Sequence, residues 1–208
     1  MKKIMSLMLA AAMMVSMASF ALAADYSSET GSTAGSSGFS GTPSVVSSSS
    51  VTQAVTTGGS VTITGNAVVT ENVMQSVAAA TQPVTFTAPN YTAVIDPRTV
   101  TSAQNVSLGA LPANPATESF FGQYFSNNFA SVQLAQQGAF GATVQFTITP
   151  TNLSQLNTSS LLFYSYDPVT NTYARVNTTY TVNADGSLTF STPVGNTIII
   201  TDGPITAR

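Results

Sequence analysis

The sequence predicts a mainly β fold, an Ig-like or related β-sandwich with one or two short helices in its N-terminal half. Three observations carry that prediction. From Ser60 onward, runs such as "SVTIT", "PVTFTAP" and "GATVQFTITP" alternate apolar and polar residues with the two-residue period of a half-buried strand. Turn-forming clusters separate these runs at short intervals, which is the spacing of sandwich strands. The chain also has no Cys, so the core must form without disulfides. The roughly 150 residues after Ser60 are enough for one such domain.

The first 23 residues stand apart from that domain. Lys2 and Lys3 precede an uncharged apolar run from Ile4 to Leu22, and Ala21-Leu22-Ala23 has small residues at the positions a signal peptidase reads. Residues 1–23 are therefore expected to be a secretory signal peptide. A retained anchor competes because the run reaches the spanning threshold of ~18 residues, but Ala, Ser and Met dilute it. The expected location is outside the cell. "TDGPITAR" carries no sorting signal or second apolar span, so any attachment to the cell surface is expected to be non-covalent.

Residues 24–59 read as a flexible linker, because Ser, Gly and Thr dominate and no apolar period is sustained. The domain is assigned to residues 60–208. "TENVMQSVAAAT" places Val73, Val77 and Ala80 on one helical face, with Thr70 as N-cap and Glu71 in the first turn. "PVTFTAP" and "YTAVID" form a hairpin around Ala88-Pro89-Asn90, "DPRTV" a local turn and "NVSLG" a short strand. Phe120, Phe121, Tyr124 and Phe125 recur at helical spacing, predicting a second helix that Gly122 weakens. "ASVQLAQ" and "GATVQFTITP" are strands, "TNLSQLNTS" a short helical crossing, and "LLFYSY" and "TYARV" flank the turn "DPVTN". "TYTVNADGSLTFST" is a hairpin in which Gly186 supplies a positive φ, and "NTIIITDG" is a further strand.

Composition removes whole classes of function. Loss of Lys2 and Lys3 leaves three basic residues against eight acidic ones, a balance of −5. So few cations cannot neutralise a row of phosphates or hold an anionic bilayer, so neither nucleic acid nor membrane is an expected partner after signal cleavage. Without His or Cys, the usual zinc ligands, the commonest general base and the thiol nucleophile are gone. Serine is abundant, but no base stands ready to activate it. No metal site or cofactor is expected.

The acids offer little more. Asp96, Asp167, Asp185 and Asp202 sit at turns or strand ends, where Asp ordinarily accepts backbone N–H bonds. Calcium needs six to eight oxygens, and no local stretch supplies such an array. A glycosidase pair would have to come from these four residues with Glu71 and Glu118. Glu71 reads as first-turn charge and Glu118 as the solvent side of an aromatic stripe.

"LLFYSYDPVTNTYARV" poses a sharper choice. Tyr164, Tyr166, Tyr173 and Tyr180 are the candidate sugar platform, since exposed rings stack on the apolar faces of sugars. Alternation puts Leu162, Tyr164 and Tyr166 on one face and Leu161, Phe163 and Ser165 on the other. Both faces are apolar, as expected of a strand covered on two sides. Cross-strand tyrosines stabilise a hairpin by ~0.2 to 1 kcal/mol per pair, so a structural hairpin is the favoured reading.

The same stretch resembles a module of exported and surface-associated proteins of Gram-positive anaerobes, chiefly clostridia. The pattern is an aromatic strand-turn-strand, then "Y-x-V…G-x-L-x-F-x-T", then "I-I-I-T-D". The matching residues are Tyr164, Tyr166, Asp167, Asn171, Tyr173, Tyr180, Gly186, Leu188, Phe190 and Ile198 to Asp202. The likeness is clear over the last third to half of the domain. It implies an Ig-like or related sandwich without a catalytic role and supplies no functional residues. Asn183-Ala184-Asp185-Gly186 departs from the pattern, in which the acidic residue often comes earlier in the turn.

The expected function is a secreted, non-catalytic structural, adhesion or surface-interaction protein whose partner is a protein or glycan surface. A carbohydrate-binding module using exposed Tyr is the alternative, and a small secreted hydrolase stands behind both. Exposed strand edges leave self-association open.

Overall fold

The computed structural model describes residues 39, 42–168 and 170–205. The expected signal peptide lies outside the described residues, as does the start of the expected linker. Among the described residues the chain is mainly β, with fourteen strands in three sheets and three α-helices.

The expected linker is corrected where it is described. Strand β1 (Ser44–Val45) and helix α1 (Ser48–Thr57) occupy its second half, and Phe39, Val46, Val51 and Ala54 are buried. Apolar residues this sparse still form a helix because Val51 and Ala54 fall on one face and join the main core. Phe39 lies against Gly109, where a Cβ would stand 2.8 Å from its ring. That contact is a tertiary one, which a local reading of a Ser/Gly-rich stretch misses.

Strands β2 (Ser60–Thr62) and β3 (Ala67–Val69) lead to helix α2 (Glu71–Ala78). Val73 and Val77 are buried in it as the helical spacing predicts, Met74 is buried beside them, and Ala80, expected on the same face, lies past the helix end and is half-buried. Thr70 occupies the N-cap position, but its side chain makes no capping bond. The Glu71 N–H instead donates to Asn105 Oδ1 at 2.8 Å, so the cap comes from a residue 34 positions away. The expected hairpin follows as β4 (Val84–Thr87) and β5 (Tyr91–Ile95), then a 3-10 turn at Pro97–Thr99.

Short strands β6 (Val106–Ser107) and β7 (Ala110–Pro112) precede helix α3 (Pro115–Gly122), which forms where the second helix is expected but ends at Gly122, so that Tyr124 and Phe125 follow it. Asn114 caps it, its Oδ1 accepting from the Thr117 N–H at 2.9 Å, and Pro115 enters at the first turn. Then come β8 (Phe129–Leu134), β9 (Ala139–Ile148), a 3-10 turn at Leu153–Gln155, and β10 (Leu162–Asp167) with β11 (Thr172–Val176). Strands β12 (Tyr180–Val182) and β13 (Leu188–Val194) form the hairpin whose Gly186 has φ 82°, and β14 (Thr197–Thr201) follows.

Three sheets result, ordered β1-β3-β6, β11-β10-β14-β8-β7 and β12-β13-β9-β5-β4-β2. The five- and six-stranded sheets share one apolar core. Ala130, Val132, Phe163, Ile198 and Ile200 come from the first, and Phe86, Ala93, Ile95, Val144, Phe146 and Phe190 from the second. The Phe163 and Phe190 rings meet 5.6 Å apart across the gap. Gln136, itself buried, links the three-stranded sheet to the six-stranded one through its side-chain amide, accepting from Ser107 N–H on β6 and donating to the Ala139 carbonyl. Helices α1 and α2 close onto this same core, whereas α3 covers the opposite face of the five-stranded sheet.

Candidate functional site

The aromatic hairpin assembles from β10 and β11, which pair Tyr166 with Tyr173 across the strands. Tyr164, Tyr166 and Tyr173 share the face turned away from the main core. There α3 lays Phe121 on them, and Phe125 just beyond it, making a second cluster with Ile199. Tyr166 is only 1% exposed, its ring 5.1 Å from Phe121 and 4.9 Å from Tyr173. Its hydroxyl donates to Asn171 Oδ1 at 3.1 Å, and Asn171 closes the turn at φ 52°. Tyr173 is the outermost ring, 36% exposed and edge-on to Phe125 at 5.3 Å. Desolvation pushes the Tyr166 and Tyr173 phenols above their ordinary range, and the neighbouring Tyr124 adds to both shifts.

Tyr180 does not join them. It lies on β12, in the other large sheet, with its ring 5.4 Å from Phe163. Its hydroxyl accepts the Leu161 N–H at 2.8 Å. Three of the four candidate tyrosines therefore share one face and the fourth braces a strand end elsewhere. Because Tyr166 is buried beneath α3, the open part of the platform reduces to Tyr173 and the half-buried Tyr164.

The acids remain in their separate turns. Asp96 accepts from the Arg98 backbone N–H at 3.0 Å and from its guanidinium, which holds the carboxyl below the usual range. Asp185 accepts from the Ser187 hydroxyl at 2.6 Å and its N–H at 2.9 Å, with the same downward shift. Asp167 accepts from Thr170 Oγ1 at 2.8 Å, and Asp202 from the Asn157 N–H at 3.0 Å. Among the described residues no three His, Cys, Asp or Glu side chains gather as a metal site.

A second surface emerges on the six-stranded sheet. Its core-facing residues alternate with threonines, and the register aligns those threonines into one rank. Thr62 pairs with Thr87, Thr87 with Thr92, Thr92 with Thr147, Thr147 with Thr189, and Thr189 with Thr181. One threonine thus stands on each of the six strands, spaced by ~4.8 Å and spanning roughly 24 Å across the sheet. A flanking rank runs through Ser60, Thr85, Val94, Gln145 and Ser191. Thr62 and Thr181 are exposed and the threonines between them half-buried, as befits the open face of a sheet.

The rank is partly ordered by its own bonds. Thr147 and Thr189 hydroxyls lie 2.9 Å apart, and Asn183 Nδ2 donates to Thr189 Oγ1 at 3.0 Å. Neither rank contains a charged residue. The local signal was present in "SVT", "TFT", "YTA", "FTI", "YTV" and "LTF", each with a threonine beside an apolar strand residue. What no local reading supplies is the register that puts them in line. Comparison of the chain with protein-family models, with curated proteins and with solved structures finds no match.

Proposed function

We propose that this chain is an exported, non-catalytic contact module, an Ig-like or related β-sandwich that works by adhering to a surface outside the cell. The observation that carries this reading is the uncharged threonine face, which crosses the full width of the larger sheet. Such a face has hydroxyls to form many weak bonds and no group poised to make or break a covalent one. The dispersal of Asp96, Asp167, Asp185 and Asp202 into separate turns supports the same reading. So does the leader-like start, for which the resemblance to clostridial surface modules gives a setting.

Expression of the full chain in a Gram-positive host tests export and adhesion together. The expected product begins at Ala24, stays on washed cell envelopes and is released by high concentrations of competing soluble envelope material. A chain that remains inside the cell, or that passes over envelopes without retention, contradicts the proposal. A second reading, a sugar platform on the aromatic hairpin, draws on the exposure of Tyr173. It predicts that Tyr173→Ala alone abolishes retention.

A further inference from the structure

We infer that the threonine rank is a binding track for an extended, neutral polysaccharide lying across the strands. This inference rests on the contact-module reading and names the partner of that surface. The geometry selects a linear polymer, because the threonine rank continues in one line through every strand of the sheet. The strand spacing is close to the length of one pyranose ring linked through opposite edges, so successive sugars meet successive threonines.

The chemistry selects a neutral sugar. Neither rank carries a charge; beside them among the described residues lie the self-compensated pair of Asp96 with Arg98 and the Asp185 carboxylate, which accepts from Ser187 and adds no cation. An anionic glycan or a phosphate polymer would find no cation to replace its counterions. Each threonine offers a hydroxyl that both donates and accepts and a methyl that packs on C–H, matching the mixed edge of a sugar ring. Thr147, Thr189 and Asn183 already hold one another in place, which lowers the ordering cost of binding.

A second copy of the chain fits the face less well. A self-associating interface needs a dry apolar centre, and among the described residues the large exposed hydrophobics, Val45 and Tyr173, lie on other elements.

The test measures retention of the full chain on amorphous cellulose, xylan and β-mannan, with Thr92→Val/Thr147→Val and Tyr173→Ala alongside. Valine keeps the branched shape and the strand preference, and thermal unfolding checks that the variant folds. At least one polymer is expected to hold the wild type. The valine pair, which loses two hydrogen bonds, is expected to bind about tenfold more weakly. Tyr173→Ala is expected to bind unchanged. The inference is overturned if no polymer retains the folded chain, or if the valine pair binds as well as wild type. It is overturned equally if sedimentation shows a dimer that the valine pair dissociates. New soluble reducing ends during incubation would instead contradict the non-catalytic reading, which separates the two failures.

Discussion

Tyr166 shows how a residue that looks like a ligand contact becomes a packing residue. Its ring is enclosed by Phe120, Phe121 and Tyr173, and its hydroxyl is spent on Asn171. Tyr166→Ala should therefore cost about 3 to 5 kcal/mol in urea unfolding, the range for a buried aromatic truncation. Tyr173→Ala, at a partly exposed ring, should cost clearly less. Equal costs would mean that α3 does not shelter Tyr166. Alkaline titration gives an independent check on Tyr91, Tyr166 and Tyr173, whose phenols are all raised, chiefly by desolvation. A raised phenol favours the neutral folded form, so its stabilisation is full below the unfolded value of ~10 and is lost as pH rises through the folded one. Phenolate absorbance should then show Tyr91, Tyr166 and Tyr173 titrating late, together with unfolding. At this scale the alternation of Leu162, Tyr164 and Tyr166 against Phe163 was legible, because strand parity is local. The separation of Tyr180 was not, because it depends on which sheet its strand joins.

Among the elements, the hairpins and the helix at Glu71–Ala78 were the most legible, since turn residues and apolar spacing within ten residues specify them. Helix α3 was readable from its aromatic spacing, but not that it covers the outer face of a sheet. The helix at Ser48–Thr57 was lost in a Ser/Thr-rich stretch. Ser47 before it, Gly58 after it and Val51 with Ala54 between were the available signals. Strands β1, β3 and β7 were missed because two or three residues leave no period to detect. The ordered N-terminal part also makes a prediction of its own. Gly109→Ala would bring a Cβ to 2.8 Å from both Phe39 and Ala135, so one of them must move. A loss of about 1 to 3 kcal/mol is expected, the usual cost of overpacking, with faster amide exchange along β1. Unchanged stability and exchange would show that Phe39 is not docked there.

For the molecule as a whole, the division of labour follows from what each sheet does with its outer face. The five-stranded sheet buries its outer face under α3 with aromatic rings, each aromatic pair adding ~0.5 to 1.5 kcal/mol beyond area burial. The six-stranded sheet leaves its outer face open and lines it with threonine, whose β-branch suits a strand and whose hydroxyl suits a polar partner. The mainly β class was legible from alternation alone. The open face was not, because it exists only once registers from Thr62 to Thr181 are in place. The most direct measurement is a methyl-threonine NMR titration of the full chain with soluble cello-, xylo- and manno-oligosaccharides. The account predicts shifts concentrated at Thr87, Thr92, Thr147 and Thr189. Shifts centred on Tyr164 and Tyr173, or none with any of the three, would contradict it.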